Sequence, residues 1–322
     1  MDSRFDPSHA TAGRMAGALE NATTFEPTVE ARTRRARAAD FVTLTKPRLN
    51  SLVLMTSLAA YFLGRGDELP WVRLVHMLVG TALVAAGASA LNQLWERDTD
   101  RLMRRTRMRP LPDARLHPHD AMWFGIALSA VGIADLTLGV NPLTAAVAAA
   151  TLASYVLLYT PLKVRTPLST IVGALPGALP AVIGWTAATN TLSIEAWVLF
   201  GIVFMWQMPH FLAIAWLCRD DYARAGIPLL PVIQPDGRAT AHQAVLYTAG
   251  LIPISFLPTA VGLASAYYLV GAMTLGAVLI VLSVEFASTR SQPAARRLFF
   301  ATILYLPLLW AVLLADHFTY LR

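Results

Sequence analysis

The 322-residue chain is 56% hydrophobic and only 14% charged, with a formal net charge of +6. A soluble globular domain carries about 25% charged residues, so this composition excludes one and indicates a polytopic membrane protein. A single cysteine, Cys218, excludes an intrachain disulfide and reads as a small apolar filler.

Residues 1–40 are polar, mixing Asp2, Asp6, Glu20, Glu26 and Glu30 with Arg4, Arg14, Arg32, Arg34, Arg35 and Arg37. They have no apolar signal core and too many acids for a transit peptide, so they are expected to form a disordered cytoplasmic arm ending in a basic membrane anchor. Residues 41–322 are expected to form the membrane domain. Nine apolar stretches of spanning length follow the arm, over residues 49–64, 71–94, 121–138, 143–159, 168–187, 194–217, 244–263, 267–286 and 298–315.

All of the 26 Lys and Arg residues except Arg65, Arg73 and Arg322 fall at the N-terminal side of the first span, Lys46 and Arg48 at its mouth included, or after even-numbered spans. The positive-inside rule therefore places the N-terminus in the cytoplasm and the C-terminus outside. Topology and an anionic substrate explain the surplus charge, and no nucleic-acid partner is expected. Two long polar segments, residues 96–120 and 219–243, lie on the cytoplasmic side as cap loops, so function is expected on that face.

The second stretch leaves the membrane through Asn92-Gln-Leu-Trp-Glu96-Arg-Asp98-Thr-Asp100, followed by Arg101, Arg104, Arg105, Arg107 and Arg109. Charged side chains cost about 2.5–3.5 kcal/mol each at the centre of a membrane helix, so such a cluster at a helix mouth needs a reason. If the helix continues past Trp95, Asn92, Glu96 and Asp100 spread over only about 80° of one face, whereas Asp98 falls about 240° round from Asn92. Asp98 would then pair with Arg101 or Arg105. Carboxylate and carboxamide oxygens suit a hard cation such as Mg²⁺, which shares its coordination with substrate phosphates, and Arg and Lys suit the remaining phosphate oxygens. A solvated loop whose acids pair only with its arginines is the alternative.

The sixth stretch repeats the pattern, with Pro209-His210-Phe211 inside it and Arg219-Asp220-Asp221-Tyr222 at its exit. On a continuous helix Asp221 lies on the stripe of His210, about 16 Å further along. An intramembrane imidazole is a candidate base, iron ligand or satisfied interhelical hydrogen bonder. Gly226 reads as conformational. Lys163 and Arg165, after the fourth stretch, share the face of both acidic clusters, and the Gly- and Pro-rich stretch around Gly173, Pro176, Gly177, Pro180 and Gly184 permits close helix approach. Tyr155, Tyr159, Trp206 and Phe211 are candidates for cavity lining or plain core packing.

Asn92-x3-Glu96-Arg-Asp98-x-Asp100-x2-Met103-x-Arg105-Thr106, with Arg109-Pro110-Leu111, resembles the first aspartate-rich motif of the UbiA-type intramembrane prenyltransferases. Leu44-Thr45-Lys46-Pro47-Arg48 is similar to the opening of the branch that farnesylates protohaem IX. Arg219-Asp-Asp221-Tyr-Ala-Arg-Ala-Gly226-Ile-Pro-Leu-Leu-Pro231 is similar to that branch's second motif. The resemblance covers the chain from about residue 40 onward. It implies an all-α bundle of nine helices around a central lipid-open cavity in a bacterial inner membrane. It also implies farnesyl transfer from farnesyl diphosphate to haem B, giving haem O for terminal oxidase biogenesis. By motif position, Asn92, Glu96, Asp98, Asp100, Asp220 and Asp221 would hold Mg²⁺-diphosphate, and Arg105, Arg109, Lys163 and Arg165 would hold phosphate. His210 would be the haem-side residue. Haem A synthase or the oxidase assembly machinery would be protein partners. Glu96 departs from the Asp common in the family, and Gln207-Met208 precede Pro209 where Thr-Pro would be expected. Prenylation of a quinone precursor or chlorin, and transport of an anionic lipid or phosphate compound, are the alternative functions.

Overall fold

The computed structural model describes residues 34–66 and 70–320, so the expected arm lies almost wholly outside the described residues. The chain divides into units Met1–Ala39 and Asp40–Arg322. A helix already runs over Arg34–Leu44, inside the segment expected to be irregular, because its Arg, Ala and Leu residues are good helix formers.

The larger unit is all-helical among the described residues. Its long helices are α1 (Pro47–Gly64), α2 (Trp71–Leu102), α3 (Pro118–Gly139), α4 (Pro142–Ala153), α5 (Ser169–Thr189), α6 (Ile194–Leu217), α7 (Arg238–Ile254), α8 (Ala266–Thr289) and α9 (Gln292–Tyr320). Among the described residues eight helical spans, those of α2 to α9, are long and apolar enough to cross a membrane. Helix α1 reaches 18 residues but begins Pro47-Arg48-Leu49-Asn50, whose polar groups keep it out of that set.

Each of α2 to α8 packs on its successor, α6 also meets α9, and α1 closes the ring by touching both α2 and α9. Helix α5 is the most enclosed span, seated against α1, α4 and α6. Its small residues make that position possible: a Cβ on Gly184 would overlap the Ser57 carbonyl, and one on Gly177 would overlap the Gln207 carboxamide. Ser57 Oγ then donates to the Pro180 carbonyl at 2.8 Å, and Gln207 Nε2 to the Ala174 carbonyl at 3.1 Å. The α2–α3 seam uses the same device through Gly80, Gly87, Gly125 and Gly132.

At 32 residues α2 is about 48 Å long, well beyond the roughly 30 Å hydrocarbon core, so its last turns project from the bundle. The segment that follows folds over this end as a cap. It is shorter than the sequence suggests, since residues 96–102 remain helical. The second cap also contains structure, with helices Arg219–Arg224 and Leu230–Ile233 and the early start of α7 at Arg238. Met103 packs with Ala215, Tyr222, Ile227 and Leu229, which joins the two caps through one apolar cluster.

Candidate diphosphate-binding rim

Because α2 continues to Leu102, Asn92, Glu96 and Asp100 do share one inward face, and all three are buried. Asp98 points away, 76% exposed, and meets Arg97 at 3.6 Å. The expected partners of Asp98 are engaged elsewhere: Arg101 Nε donates to the Pro112 carbonyl at 3.2 Å and Arg105 Nη2 to the Tyr222 hydroxyl at 3.1 Å. Adjacent placement on the exposed face of the helix makes Arg97 the nearer cation.

Every member of the buried face has a partner from another part of the chain. Lys46 Nζ donates to Asn92 Oδ1 at 2.9 Å, Lys163 Nζ to Glu96 Oε1 at 2.8 Å, and Arg109 Nη1 to Asp100 Oδ2 at 2.6 Å. Burial pushes the Lys46 ammonium down to about 8; Glu96 opposes the shift, and Arg109 and Lys163 add to it. At Lys163 burial acts the same way but is outweighed by Tyr159 and Glu96, so the ammonium is held above its usual range. The rim is thus an enclosed lattice of alternating cations and oxygen donors.

Lys46 and Thr160 were not singled out as site residues by the sequence reading. Lys46 sits in the left-handed region, φ 47° and ψ 57°, just before Pro47. A non-glycine residue there costs of order 1 kcal/mol, a strain that surrounding contacts must sustain and that clusters at functional sites. The Pro47 that follows disfavours α-helical geometry at Lys46 but does not select the left-handed region, so the sequence carries no direct signal for this conformation. Thr160 accepts from Asn92 Nδ2 at 3.2 Å and donates to the Tyr155 carbonyl at 2.8 Å. It follows a π-helical turn, Ser154–Tyr159, at the end of α4. The turn stacks Tyr155 on Tyr159 with centroids 5.4 Å apart, and Gly173 of α5 leaves room for the Tyr159 ring.

The second acidic exit reaches the same rim by a different route. Helix α6 stops at Leu217, and Cys218 leaves helical geometry at φ −108°, ψ 14° before the short helix Arg219–Arg224 begins. His210 and Asp221 therefore do not lie on one continuous stripe. Asp221 pairs with Arg224 and accepts the Arg104 backbone N–H at 3.3 Å. Arg105 reinforces this link, its guanidinium 5.3 Å from the centre of the Tyr222 ring. A cleft of about 490 Å³ lies between Arg104, Arg105, Asp220, Asp221 and Arg224. Asp220 is 81% exposed beside Arg219, and Arg165 is exposed as well. Gly226 has φ 67° with nothing near its Cβ position, which fits a conformational role.

His210 lies apart from these groups, in the α6–α9 seam. Its Nδ1 is 2.8 Å from Thr302 Oγ1, and its ring is stacked between Trp206 and Phe299 at 5.3 and 5.1 Å. Trp206 is held by its own bond from Nε1 to the Thr302 carbonyl at 2.7 Å.

Among the described residues no three His, Cys, Asp or Glu side chains converge as a self-contained metal cage would require. The rim offers hard oxygen donors instead, and Asp100 Oδ1 is buried without a hydrogen-bond partner among the described residues. That donor set fits Mg²⁺, which commonly takes one or two carboxylates and completes its shell with water and phosphate.

Residues 53–313 match the UbiA prenyltransferase family. A protoheme IX farnesyltransferase from Solibacter usitatus is 48% identical over 287 residues, covering 86% of this chain and 98% of the relative. The fold is similar to a digeranylgeranylglyceryl phosphate synthase, with TM-score 0.74, 14% identity and coverage of 87% of this chain and 98% of that one. It is also similar to a UbiA homologue from Archaeoglobus fulgidus bound to GPP and Mg²⁺, with TM-score 0.59, 16% identity and coverage of 85% and 99%. The chain belongs to the UbiA prenyltransferase family.

Proposed function

We propose that the chain transfers a farnesyl group from farnesyl diphosphate to a vinyl group of haem B, with addition of water, giving haem O and diphosphate. The observation that carries the reading is the buried rim in which Lys46, Lys163 and Arg109 alternate with Asn92, Glu96 and Asp100. The acceptor is supported by the Solibacter usitatus relative, called a protoheme IX farnesyltransferase and matched over 98% of its length. In this reading α1 is a ninth span, the rim faces the cytoplasm of a bacterial inner membrane, and the C-terminus lies outside.

Asn92, Glu96, Asp100 and Asp221 would hold Mg²⁺, with the exposed Asp98 and Asp220 as outlying members of the same charged edge. The A. fulgidus homologue is bound to GPP and Mg²⁺, which supports a metal and a prenyl diphosphate as ligands in this reading. When bound, Mg²⁺ supplies Lewis-acid stabilisation of the diphosphate leaving group. The ammonium groups of Lys46 and Lys163 and the Arg109 guanidinium hold phosphate oxygens and stabilise the charge that grows as the allylic C–O bond breaks. Arg105 and Arg165 extend this positive surface around the leaving group.

Asn92, Glu96 and Asp100 each already have one cationic partner. Were a metal held by these carboxylates, Lys46, Lys163 and Arg109 would be free for the diphosphate oxygens, so metal and diphosphate would bind together rather than singly. The apolar bundle beneath the rim solvates the farnesyl chain, worth about 0.8 kcal/mol per buried carbon, and keeps water from the allylic cation. The vinyl group donates its electron pair to that cation, and water captures the porphyrin-side cation and loses a proton. His210, locked by Thr302, Trp206 and Phe299, is the haem-side residue of this proposal.

Protein in lipid nanodiscs supplied with farnesyl diphosphate, Mg²⁺ and an equimolar choice of haem B or an aromatic acid tests the acceptor. Farnesylated haem is the expected product; prenylation of the aromatic acid alone overturns the reading.

A further inference from the structure

At the opposite end of α2 from the acidic rim, His76 and Asp135 form a second polar pair that the diphosphate chemistry does not use. His76 Nδ1 lies 2.7 Å from Asp135 Oδ1 on α3, with side-chain exposures of 40% and 22%. About 24 Å of helix rise separates His76 from Asn92, too far for one ligand to be held by the pair and react at the rim.

Three features show that this imidazole is held in one orientation. The carboxylate engages Nδ1, which leaves Nε2 as the available nitrogen, without a partner among the described residues. The ring lies directly on the α3 backbone, where a Cβ on Gly139, one turn beyond Asp135, would overlap it. Asp135 Oδ2 is buried without a hydrogen-bond partner among the described residues, an unsatisfied carboxylate that adds negative potential behind the ring. A carboxylate that fixes an imidazole through Nδ1 and leaves Nε2 to bind metal is the outer-shell arrangement of metal-ligating histidines. Ionisable residues in a membrane span are costly enough to imply such a role.

The surroundings select the kind of metal complex. Val72 and Val79 lie one turn either side of His76, and they and Leu138 of α3 are exposed. Arg73, on the same face of α2, is exposed too. An apolar surface around one ligating nitrogen, with a guanidinium at its edge, matches a flat apolar macrocycle that carries an iron atom and peripheral carboxylates.

We propose that His76 is an axial ligand for an iron porphyrin docked on the outward face of α2 and α3, a holding site separate from the reaction centre. The choice of porphyrin as ligand rests on the proposed acceptor, and the site would take haem substrate or product before its transfer to another membrane protein.

The test is a titration of the full-length protein in nanodiscs with ferric protoporphyrin IX, read from the Soret band, with metal-free protoporphyrin IX as control. In an H210A background the imidazole-ligated band is expected to persist; adding either H76A or G139A, which displaces the ring, is expected to remove it. Binding of the metal-free porphyrin should not respond to H76A. An unchanged band in H76A/H210A, or complete loss in H210A alone, overturns the proposal. Farnesyl transfer, measured separately on H76A, is expected to match wild type. If the wild type shows the His76-dependent band yet does not prenylate haem, the acceptor reading fails and this site stands.

Discussion

Replacing Lys163 by Met removes the ammonium that pairs with Glu96 at 2.8 Å and strands a carboxylate only 6% exposed. Removing one partner of a buried ion pair costs about 3–5 kcal/mol. Lys46 also couples to Glu96 and partly compensates, so the lower end applies, about 3 kcal/mol or roughly a hundredfold in the folding equilibrium. The double variant Glu96→Gln/Lys163→Met strands neither charge and should recover to within about 1 kcal/mol of wild type. Thermal unfolding in detergent, followed by intrinsic fluorescence, reads the cycle. The single variant should lose about 6 °C in Tm and the double variant about 2 °C or less. Both should remain inactive, because the double variant restores stability without restoring the charges that handle diphosphate. Wild-type Tm in Lys163→Met would refute the buried pair. Restored turnover in the double variant would show that the two groups serve only each other.

Asp100→Asn should lower turnover about 100-fold or more, whereas Asp98→Asn, on the exposed face, should stay within about twofold; equal effects would remove the distinction between the faces. Calorimetry with Mg²⁺ alone, pyrophosphate alone and both together should show that each strengthens the other's binding, as the prepaired rim requires, and independent binding would contradict the exchange of partners. Ala114 has φ 54°, a conformation that glycine adopts without strain. Ala114→Gly should therefore stabilise the cap by up to about 1 kcal/mol, visible as a higher Tm with unchanged turnover.

The shared face of Asn92, Glu96 and Asp100 was legible in the sequence because helical spacing survives wherever the helix continues, and α2 continues to Leu102. The shared rim of the two acidic exits was legible from topology, although the contacts that join them, from Arg104 to Asp221 and Arg105 to Tyr222, arise from loop folding with no periodic signature. Lys46 was quoted only as part of a motif, since its role depends on one left-handed residue and a partner far along the chain. The π-helical turn before Thr160 inserts a local irregularity that hydrophobic patterning does not record. The supposed stripe from His210 to Asp221 failed because it assumed an unbroken helix through Cys218. His76 and Asp135 escaped notice because neither repeats a motif, and only their juxtaposition across α2 and α3 makes them a pair.

The central claim is transfer of a farnesyl group to haem with capture of water, and a single-turnover reaction in ¹⁸O-labelled water tests it most directly. With haem B, farnesyl diphosphate and Mg²⁺, the account predicts a porphyrin product whose mass has grown by the farnesyl group, one heavy oxygen and the accompanying hydrogen. Release of diphosphate with unmodified haem, or a farnesylated haem without the heavy oxygen, would contradict it.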